Sequence, residues 1–425
     1  MSAAFLDDLH ARGLLADVTD REGLAALLAG GTVSAYAGYD PTSASLHIGN
    51  LVPTILLKRL QDAGHRPIIV VGGATGMVGD PSGKSDERNL LDDATLEANV
   101  AGIRAQLARL LAFEGPTGAA LVNNADWTRG VGFLEFLRDI GKHLTVNYMM
   151  AKDSVASRLE GGNGISYTEF SYMLLQAFDF VQLAKSHGCR LQVGGSDQYG
   201  NITAGCELSR KMGGPQLFGL TAPLLLDSTG QKMGKTSKGE RIWLDAAKTS
   251  PYEFYQYWRG VADADAPRLL RLFSLRPLAE LAEVTAAHEA DPAKRLAQIE
   301  LARTLTAWVH GPGSIAPVEA ASRLMFESQT DGITDDAIAA LAGTVPTFAL
   351  PRAELAVGLP ILDLAARAFG DSKGALRRLI QQGGLYLNHV KVASEKDLVN
   401  ETSLLTPTAL LLRSGRAKYL LVRAV

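Results

Sequence analysis

Two apolar runs separated by one helical segment constrain this chain more than any other feature. Residues 33–39 (VSAYAGY) are β-prone and largely apolar. The turn Asp40-Pro41-Thr42 follows, then residues 48–63, rich in Leu, Ile and Val, with Gly64 as a stop. Residues 67–71 (PIIVV) form the second run and end in Gly72-Gly73. A short apolar run bounded by turn residues marks a strand covered on both faces. Strand–helix–strand of this kind predicts an α/β fold with a doubly wound, Rossmann-like parallel sheet. Ligands in such sheets sit beyond the carboxyl ends of the strands, so the loops after residues 39 and 71 come first as sites for chemistry.

Farther along, residues 91–111, 131–160 and 166–187 carry helical patterns, while 190–194 and 217–226 read as further strands. From residue 251 to about 340 the pattern is helical throughout. Residues 343–359 contain Pro346 and Pro351, with Pro360 just beyond, and read as a linker into a small last domain. At 425 residues the chain has room for about two to three domains. With 47% hydrophobic and 20% charged residues it is not a disordered chain. Cys189 and Cys206 are its only cysteines, which excludes a disulfide framework and suits the cytoplasm. No apolar run reaches the roughly 20 residues of a membrane-spanning helix, so no membrane association is expected. Net charge is −3, yet residues 373–425 hold nine Lys or Arg against three Asp or Glu. A basic end on an acidic body points to a local polyanion such as RNA, or else to a basic solvated surface.

Four loops and one helix carry candidate chemistry. Leu46-His47-Ile48-Gly49-Asn50 precedes a helix, whose start offers free N–H groups to phosphate. A histidine there also serves as an ordinary cap. Gln231-Lys232-Met233-Gly234-Lys235-Thr236-Ser237-Lys238 places three lysines among small residues, between turn-forming flanks. Such a loop can wrap a triphosphate, or can simply be exposed and basic. Residues 72–85 (GGATGMVGDPSGKS) nearly form a P-loop, but Val78 stands where its first glycine belongs. On the helix near 170–184, Tyr172, Gln176 and Asp179 share one face of an otherwise apolar segment. A carboxylate on a core helix needs a partner, because burying it alone is costly. Gly194-Gly195-Ser196-Asp197-Gln198 ends the strand that follows.

Together these segments resemble the class I aminoacyl-tRNA synthetases. Leu46-His47-Ile48-Gly49-Asn50 looks like their HIGH signature, and Lys232-Met233-Gly234-Lys235-Thr236 looks like their KMSKS loop. Tyr36 to Thr42, Gly79-Asp80-Pro81-Ser82-Gly83-Lys84, the Tyr172/Gln176/Asp179 face and Gly194 to Gln198 are similar to pocket segments of bacterial tyrosyl-tRNA synthetases. Residues 372–391 resemble a small RNA-binding module also found in a ribosomal small-subunit protein. Asn50 departs from the second histidine of the first signature; Gly234 and Thr236 depart from the serines of the second.

The resemblance implies a catalytic domain over residues 1–245, with a dimer-interface insert near 131–168. It further implies a helical domain binding the tRNA anticodon arm over 246–340, a linker at 341–357 and an RNA-binding domain at 358–425. The implied substrates are ATP, L-tyrosine and tRNA(Tyr). Mg²⁺ would arrive with ATP, with no dedicated protein metal site, and the chain would be a homodimer without an editing domain. Thr42, His47, Lys84, Arg88, Lys232, Lys235 and Thr236 would stabilise the departing phosphates. Asp40, Gly49, Asn50, Gly195, Asp197 and Lys235 would hold ATP. Asp80, Tyr172 and Gln176 would bind the tyrosine ammonium, Gln198 its carboxyl group, and Tyr36 with Asp179 its phenol. For tRNA the candidates are Arg210, Lys211, Arg377, Arg378, Lys391, Arg413, Arg416 and Lys418. A tryptophanyl-tRNA synthetase would lack the phenol pair and the basic tail. A dehydrogenase built on Gly73, Gly76 and Gly79 would leave the lysine loop without a purpose, and an RNA-binding relic would not need His47.

Overall fold

The computed structural model describes residues 2–80, 92–160, 164–236 and 239–425. Tertiary contacts group them into two units: Met1–Asp245 with Arg259–Val309, and Ala246–Trp258 with His310–Val425.

The first unit is built on a six-stranded sheet. Its strands are β1 (Asp17–Val18), β2 (Ser34–Tyr39), β3 (Arg66–Val71), β4 (Ala120–Asn123), β5 (Cys189–Gly195) and β6 (Phe218–Ala222), in the order β1-β6-β5-β2-β3-β4. All neighbours are parallel except β1, which runs antiparallel to β6. The chain lays down β2, β3 and β4 outward in one direction, then returns to place β5 on the other side of β2. The sheet therefore reverses between β2 and β5, and a crevice opens at their carboxyl ends. β1 and β4 leave little signal in the sequence, one for its two-residue length and the other for its short mixed composition.

Three helices bring side chains to that crevice. α1 (Leu51–Asp62) connects β2 to β3 after a short 3₁₀ turn, Ile48–Asn50. α2 (Tyr167–His187) starts at a capping box, where Ser166 and Glu169 satisfy each other's free backbone donors, and it ends at Gly188. Its buried Phe180 and Leu183 pack with Tyr36, Ile68, Val70, Cys189 and Leu217. Each such side chain contributes about 1.5–3 kcal/mol by leaving water. α3 (Tyr199–Lys211) follows β5. Residues 131–160, helical by pattern, form a broken series: Phe133–Asp139, a 3₁₀ turn at Gly141–His143, Val146–Met150 and Asp153–Glu160. Among the described residues no helix is long and apolar enough to cross a membrane.

The second unit includes helices Ile315–Glu327, Asp335–Ala340, Ile361–Phe369 and Lys373–Gln381. Its strands are β7 (Thr347–Leu350), β8 (Leu359–Pro360), β9 (Leu385–Leu387), β10 (Val390–Lys391), β11 (Leu398–Val399), β12 (Ala409–Ser414) and β13 (Lys418–Ala424). Five of them form the sheet β10-β9-β12-β13-β7, and β11 pairs with β8. This corrects the linker expected at 341–357. Thr347 to Leu350 lie parallel to β13, from Leu421 to Ala424, and Arg352–Val357 is a helix. Pro346 and Pro351 bracket a short edge strand, the place in a sheet that tolerates proline. Phe348 packs on this unit's core. Contacts also cut across the helical stretch 246–340, since Ala266–Phe273, Leu278–Ala290 and Leu296–His310 fall almost wholly in the first unit.

Candidate active site

β2 ends at Tyr39, whose hydroxyl pairs with Thr54 of α1 at 2.9 Å. The chain then turns, Thr42 N–H donating to the Asp40 carbonyl at 2.9 Å, and Thr42 is exposed. His47 follows in extended conformation and caps the 3₁₀ turn. Its Nδ1 accepts from Gly49 N–H at 3.1 Å, and its own N–H donates to Asn50 Oδ1 at 3.0 Å. A Cβ on Gly49 would stand 2.9 Å from the imidazole Cε1, so glycine is what lets the ring lie there. Burial pushes the His47 pKa down to about 4, and the Arg241 cation adds to the shift. The ring is therefore neutral at pH 7. With Nδ1 accepting, its proton is assigned to Nε2, which becomes a donor. Asn50 uses its amide oxygen to close the turn, so its N–H₂ end takes no part in that bond.

The lysine loop is tied to this turn by a backbone ladder. Met233 N–H donates to the Leu225 carbonyl at 2.9 Å, and Lys232 bridges Leu226. On the other side Ile242 N–H donates to the Gly234 carbonyl at 3.0 Å, while the Ile242 carbonyl accepts from Ile48 N–H at 3.1 Å. Ile242 thus joins the two signature segments directly. Gly234 has φ +121°, a conformation that side-chain-bearing residues rarely adopt. Glycine in place of the signature's serine thus accommodates a kink in the ladder. Thr236 N–H donates to the Glu240 carbonyl at 2.7 Å, its carbonyl accepts from Gly239 N–H at 2.8 Å, and its hydroxyl accepts from Glu240 N–H at 3.2 Å. Lys232 and Lys235 have exposed side chains. Lys84 and Arg88 lie outside the described residues.

At the ends of β3 and β5 a polar network forms. Gln198 Nε2 donates to Asp80 Oδ2 at 2.8 Å, and its Oε1 accepts from Gln176 Nε2 at 3.2 Å. Asn201, 3% exposed and outside the segments marked by sequence, donates to Gln176 Oε1 at 3.1 Å and to Gln198 Oε1 at 3.3 Å. Burial lifts the Asp197 carboxyl, as does nearby Asp80, against the pull of Lys232. Asp197 of the second polar loop thus shares one electrostatic environment with the lysine loop. Gly195 precedes it, half-buried.

Deeper in, Asp179 is buried and both of its oxygens are engaged. Trp127 Nε1 donates to Oδ1 at 2.7 Å and Asn124 Nδ2 to Oδ2 at 2.9 Å. Asn124 is in turn held by Ala74 N–H at 2.8 Å and by Thr75 Oγ1 at 2.8 Å. Burial raises the Asp179 pKa to about 7, against these two hydrogen bonds. Tyr36 is 1% exposed, and its hydroxyl has no hydrogen-bond partner among the described residues. Burial first, then the Asp179 charge, holds the Tyr36 phenol well above its ordinary pKa, so it stays a donor. Gln192, its register partner on β5, also buries an unpartnered Oε1. Tyr172 of α2 is buried as well. Asn124, Trp127 and Gln192 are site residues that local sequence does not mark. For Asn124 and Trp127 the one available signal is a polar residue next to an apolar strand, and β4 is too short and mixed to show as one; Gln192 lies within β5, where the sequence does not tell a buried face from an exposed one.

The basic candidates for RNA divide by their surroundings. Arg210 and Lys211 both pair with Glu207, at 2.8 and 3.4 Å, in the last turn of α3. Arg377 pairs with Glu395, and Lys418 with Asp371 at 3.2 Å. Arg378, Lys391 and Arg416 are exposed. Arg413 is half-buried, its guanidinium 3.8 Å from the Tyr386 ring and 5.9 Å from Tyr419. It stacks across three strands rather than pointing freely outward.

A neutral histidine at a turn over the sheet's switch point, backbone-linked to a lysine loop, is the arrangement of a class I aminoacyl-tRNA synthetase. The family model described as tRNA synthetases class I (W and Y) matches residues 29–327. The Rhodopirellula baltica tyrosine–tRNA ligase is 47% identical over 422 residues, covering 99% of this chain and 96% of the relative. The Anaeromyxobacter dehalogenans tyrosine–tRNA ligase is 48% identical over 421 residues, covering 98% and 99%. Among solved structures, a C-terminally truncated Aspergillus nidulans mitochondrial tyrosyl-tRNA synthetase superposes with TM-score 0.69 at 32% identity, covering 76% of this chain and 94% of that one. The chain belongs to the tyrosine–tRNA ligase family of class I synthetases.

Proposed function

We propose that the protein activates L-tyrosine with ATP, releasing pyrophosphate, and transfers the tyrosyl group to the 3′-terminal adenosine of tRNA(Tyr). The observation that carries this reading is the unpartnered Tyr36 hydroxyl buried within the electrostatic reach of Asp179. A tyrosine phenol between them would accept from Tyr36 and donate to Asp179, satisfying a group that is otherwise orphaned. Phenylalanine would leave the Tyr36 hydroxyl unpaired, at about 1–3 kcal/mol, and would offer Asp179 no donor beyond Trp127 and Asn124; tyrosyl-tRNA synthetases are themselves the reference case for this selection without editing.

The tyrosine ammonium meets Asp80, Tyr172 and Gln176, and Gln198 approaches the carboxyl group. The tyrosine carboxylate oxygen attacks the α-phosphorus of ATP, and the bond to the bridging oxygen of pyrophosphate breaks. Asp40, Gly49, Asn50, Gly195 and Asp197 hold the adenosine side. Thr42, His47 Nε2, Lys232, Lys235 and Thr236 donate to the phosphates as charge builds on them, which is electrostatic stabilisation without covalent catalysis. Mg²⁺ bound to the ATP phosphates would neutralise part of that charge. No cluster of three or more acidic, His or Cys side chains suited to a metal occurs among the described residues. The exposed basic side chains of α3 and of the second unit would position tRNA through its phosphates.

Phe133, Leu134, Val146, Met150 and Tyr167 are large and exposed within the segment near 131–168. Apolar exposure on this scale marks an interface, and a second copy of the chain is its occupant. Two free cysteines fit a cytoplasmic enzyme.

The test is exchange of labelled pyrophosphate into ATP with each of the twenty amino acids. Exchange with tyrosine alone is the expected result. Exchange with tryptophan overturns the pocket assignment, and no exchange from folded protein with Mg²⁺ overturns the activity.

A further inference from the structure

Asp265 stands immediately before helix Ala266–Phe273 and makes no side-chain cap to it. An aspartate at a helix start ordinarily accepts from its own first-turn N–H groups. This carboxylate reaches instead to the turn at the head of the lysine loop. Its Oδ2 accepts from Ser228 N–H at 3.1 Å and from the Ser228 hydroxyl at 3.0 Å. Its Oδ1 accepts from Arg268 Nη2 at 3.1 Å, and the same Nη2 donates to the Leu226 carbonyl at 2.6 Å. Asp265 is 3% exposed, so these bonds satisfy a carboxylate that water scarcely reaches.

The clamped residues are the ones that carry the lysines. Leu226 bridges Lys232, and the Leu225 carbonyl accepts from Met233 N–H. The turn itself is rigid: Asp227 Oδ1 accepts from Thr229 N–H at 2.9 Å and from Gln231 N–H at 3.0 Å. Shifting Ser228 and Leu226 therefore shifts Lys232 through the ladder. The far side of the same ladder is fixed at Ile242 and Ile48. The lysine segment hangs between two anchors, one beside His47 and the other at Asp265.

We propose that Asp265, aided by Arg268, is a positioning residue for amino-acid activation. It sets the register of the 226–235 ribbon so that Lys232 and Lys235 meet the ATP phosphates. This rests on the activity proposed above. It adds a residue on the helical region that touches no substrate and acts through the loop.

The test uses the full chain with Asp265→Asn, Asp265→Ala and Ser228→Ala, in single-turnover activation and in equilibrium binding of tyrosine. Asp265→Ala is expected to slow activation about tenfold or more, as misplacement remote from the chemistry does. Tyrosine affinity should stay within about twofold, since distant sites act independently. Ser228→Ala should give a smaller loss of the same kind, and it removes only a hydroxyl. In a Lys235→Ala background, Asp265→Ala should add less than about twofold, because the two act through one loop. Parallel losses of tyrosine binding and rate, or full multiplication of the two effects, would mean a merely structural role and overturn the proposal. Unchanged rates in folded Asp265→Asn and Ser228→Ala would overturn it too. Failure of the wild type to activate tyrosine sinks the proposed function instead, so the two failures are distinguishable.

Discussion

Trp127 donates its indole N–H to Asp179 at 2.7 Å, across 52 residues of sequence. The bond joins a short helix after β4 to the middle of α2. It holds one carboxylate oxygen in a fixed direction at the bottom of the crevice, while Asn124 holds the other. The carboxylate is left with its remaining lone pairs for a ligand.

Replacing Asp179 by Asn keeps the size and removes one of two acceptor oxygens. Either Trp127 or Asn124 then loses its partner, and the phenol loses a strong acceptor, at about 1–3 kcal/mol. Steady-state exchange with tyrosine and phenylalanine should show the preference for tyrosine falling about tenfold or more. An unchanged ratio would remove Asp179 from the specificity site.

The raised pKa of Asp179, about 7, gives folding stability a defined sign. The unfolded carboxyl ionises near its ordinary value, the folded one only near 7. The stability linked to this group is therefore fully present below about pH 4 and is lost as pH rises through 7. The change is on the order of 1–4 kcal/mol and should vanish in Asp179→Asn. Urea unfolding of both proteins at pH 5 and pH 8 measures it. Tyrosine binding carries the opposite sign, because the phenol donates to the ionised form. Its affinity should rise with pH up to about 7 and level off above.

His47, with a pKa near 4, is neutral wherever the protein works. Activation should show no inflection from this group between about pH 5.5 and 9. His47→Ala should slow activation about ten- to a hundredfold while tyrosine binding is unchanged, because a donor to charge that develops late acts on the transition state. A tenfold weaker tyrosine affinity with a normal rate would contradict that role.

Leu134 is 79% exposed and Phe133 66%. The double change Phe133→Asp with Leu134→Asp should convert a dimer to monomers at micromolar concentration, because it puts charge into an apolar contact. Sedimentation velocity decides it; a wild-type monomer would end the dimer proposal.

Much of the site is legible in the sequence. The residues after 39, 71 and 195 stand out because an apolar run that stops at glycine and polar residues has few other readings. The Tyr172/Gln176/Asp179 face follows from helical spacing alone. Asn201 lies within reach of the same reasoning, three residues past Gln198. Asn124, Trp127 and Gln192 do not, since nothing near them in the chain marks them. They count only because β4 flanks β3 and because β5 lies beside β2. The stretch 341–357 misleads for a similar reason: two prolines within six residues suggest a linker until β13 supplies a strand to pair with.

By itself the sequence determined the strand–helix alternation, the ends at which chemistry would lie, and the two signature segments. These depend on periodicity and on local turn chemistry, which neighbours along the chain specify. The tertiary structure alone decided that Tyr36 sits across from Gln192, that Ile242 ties Gly234 to Ile48, and that Asp265 serves a loop rather than its own helix. Those relationships join residues that lie far apart along the chain. They are set by strand order and by the need to partner buried polar atoms, and neither leaves a mark in local sequence.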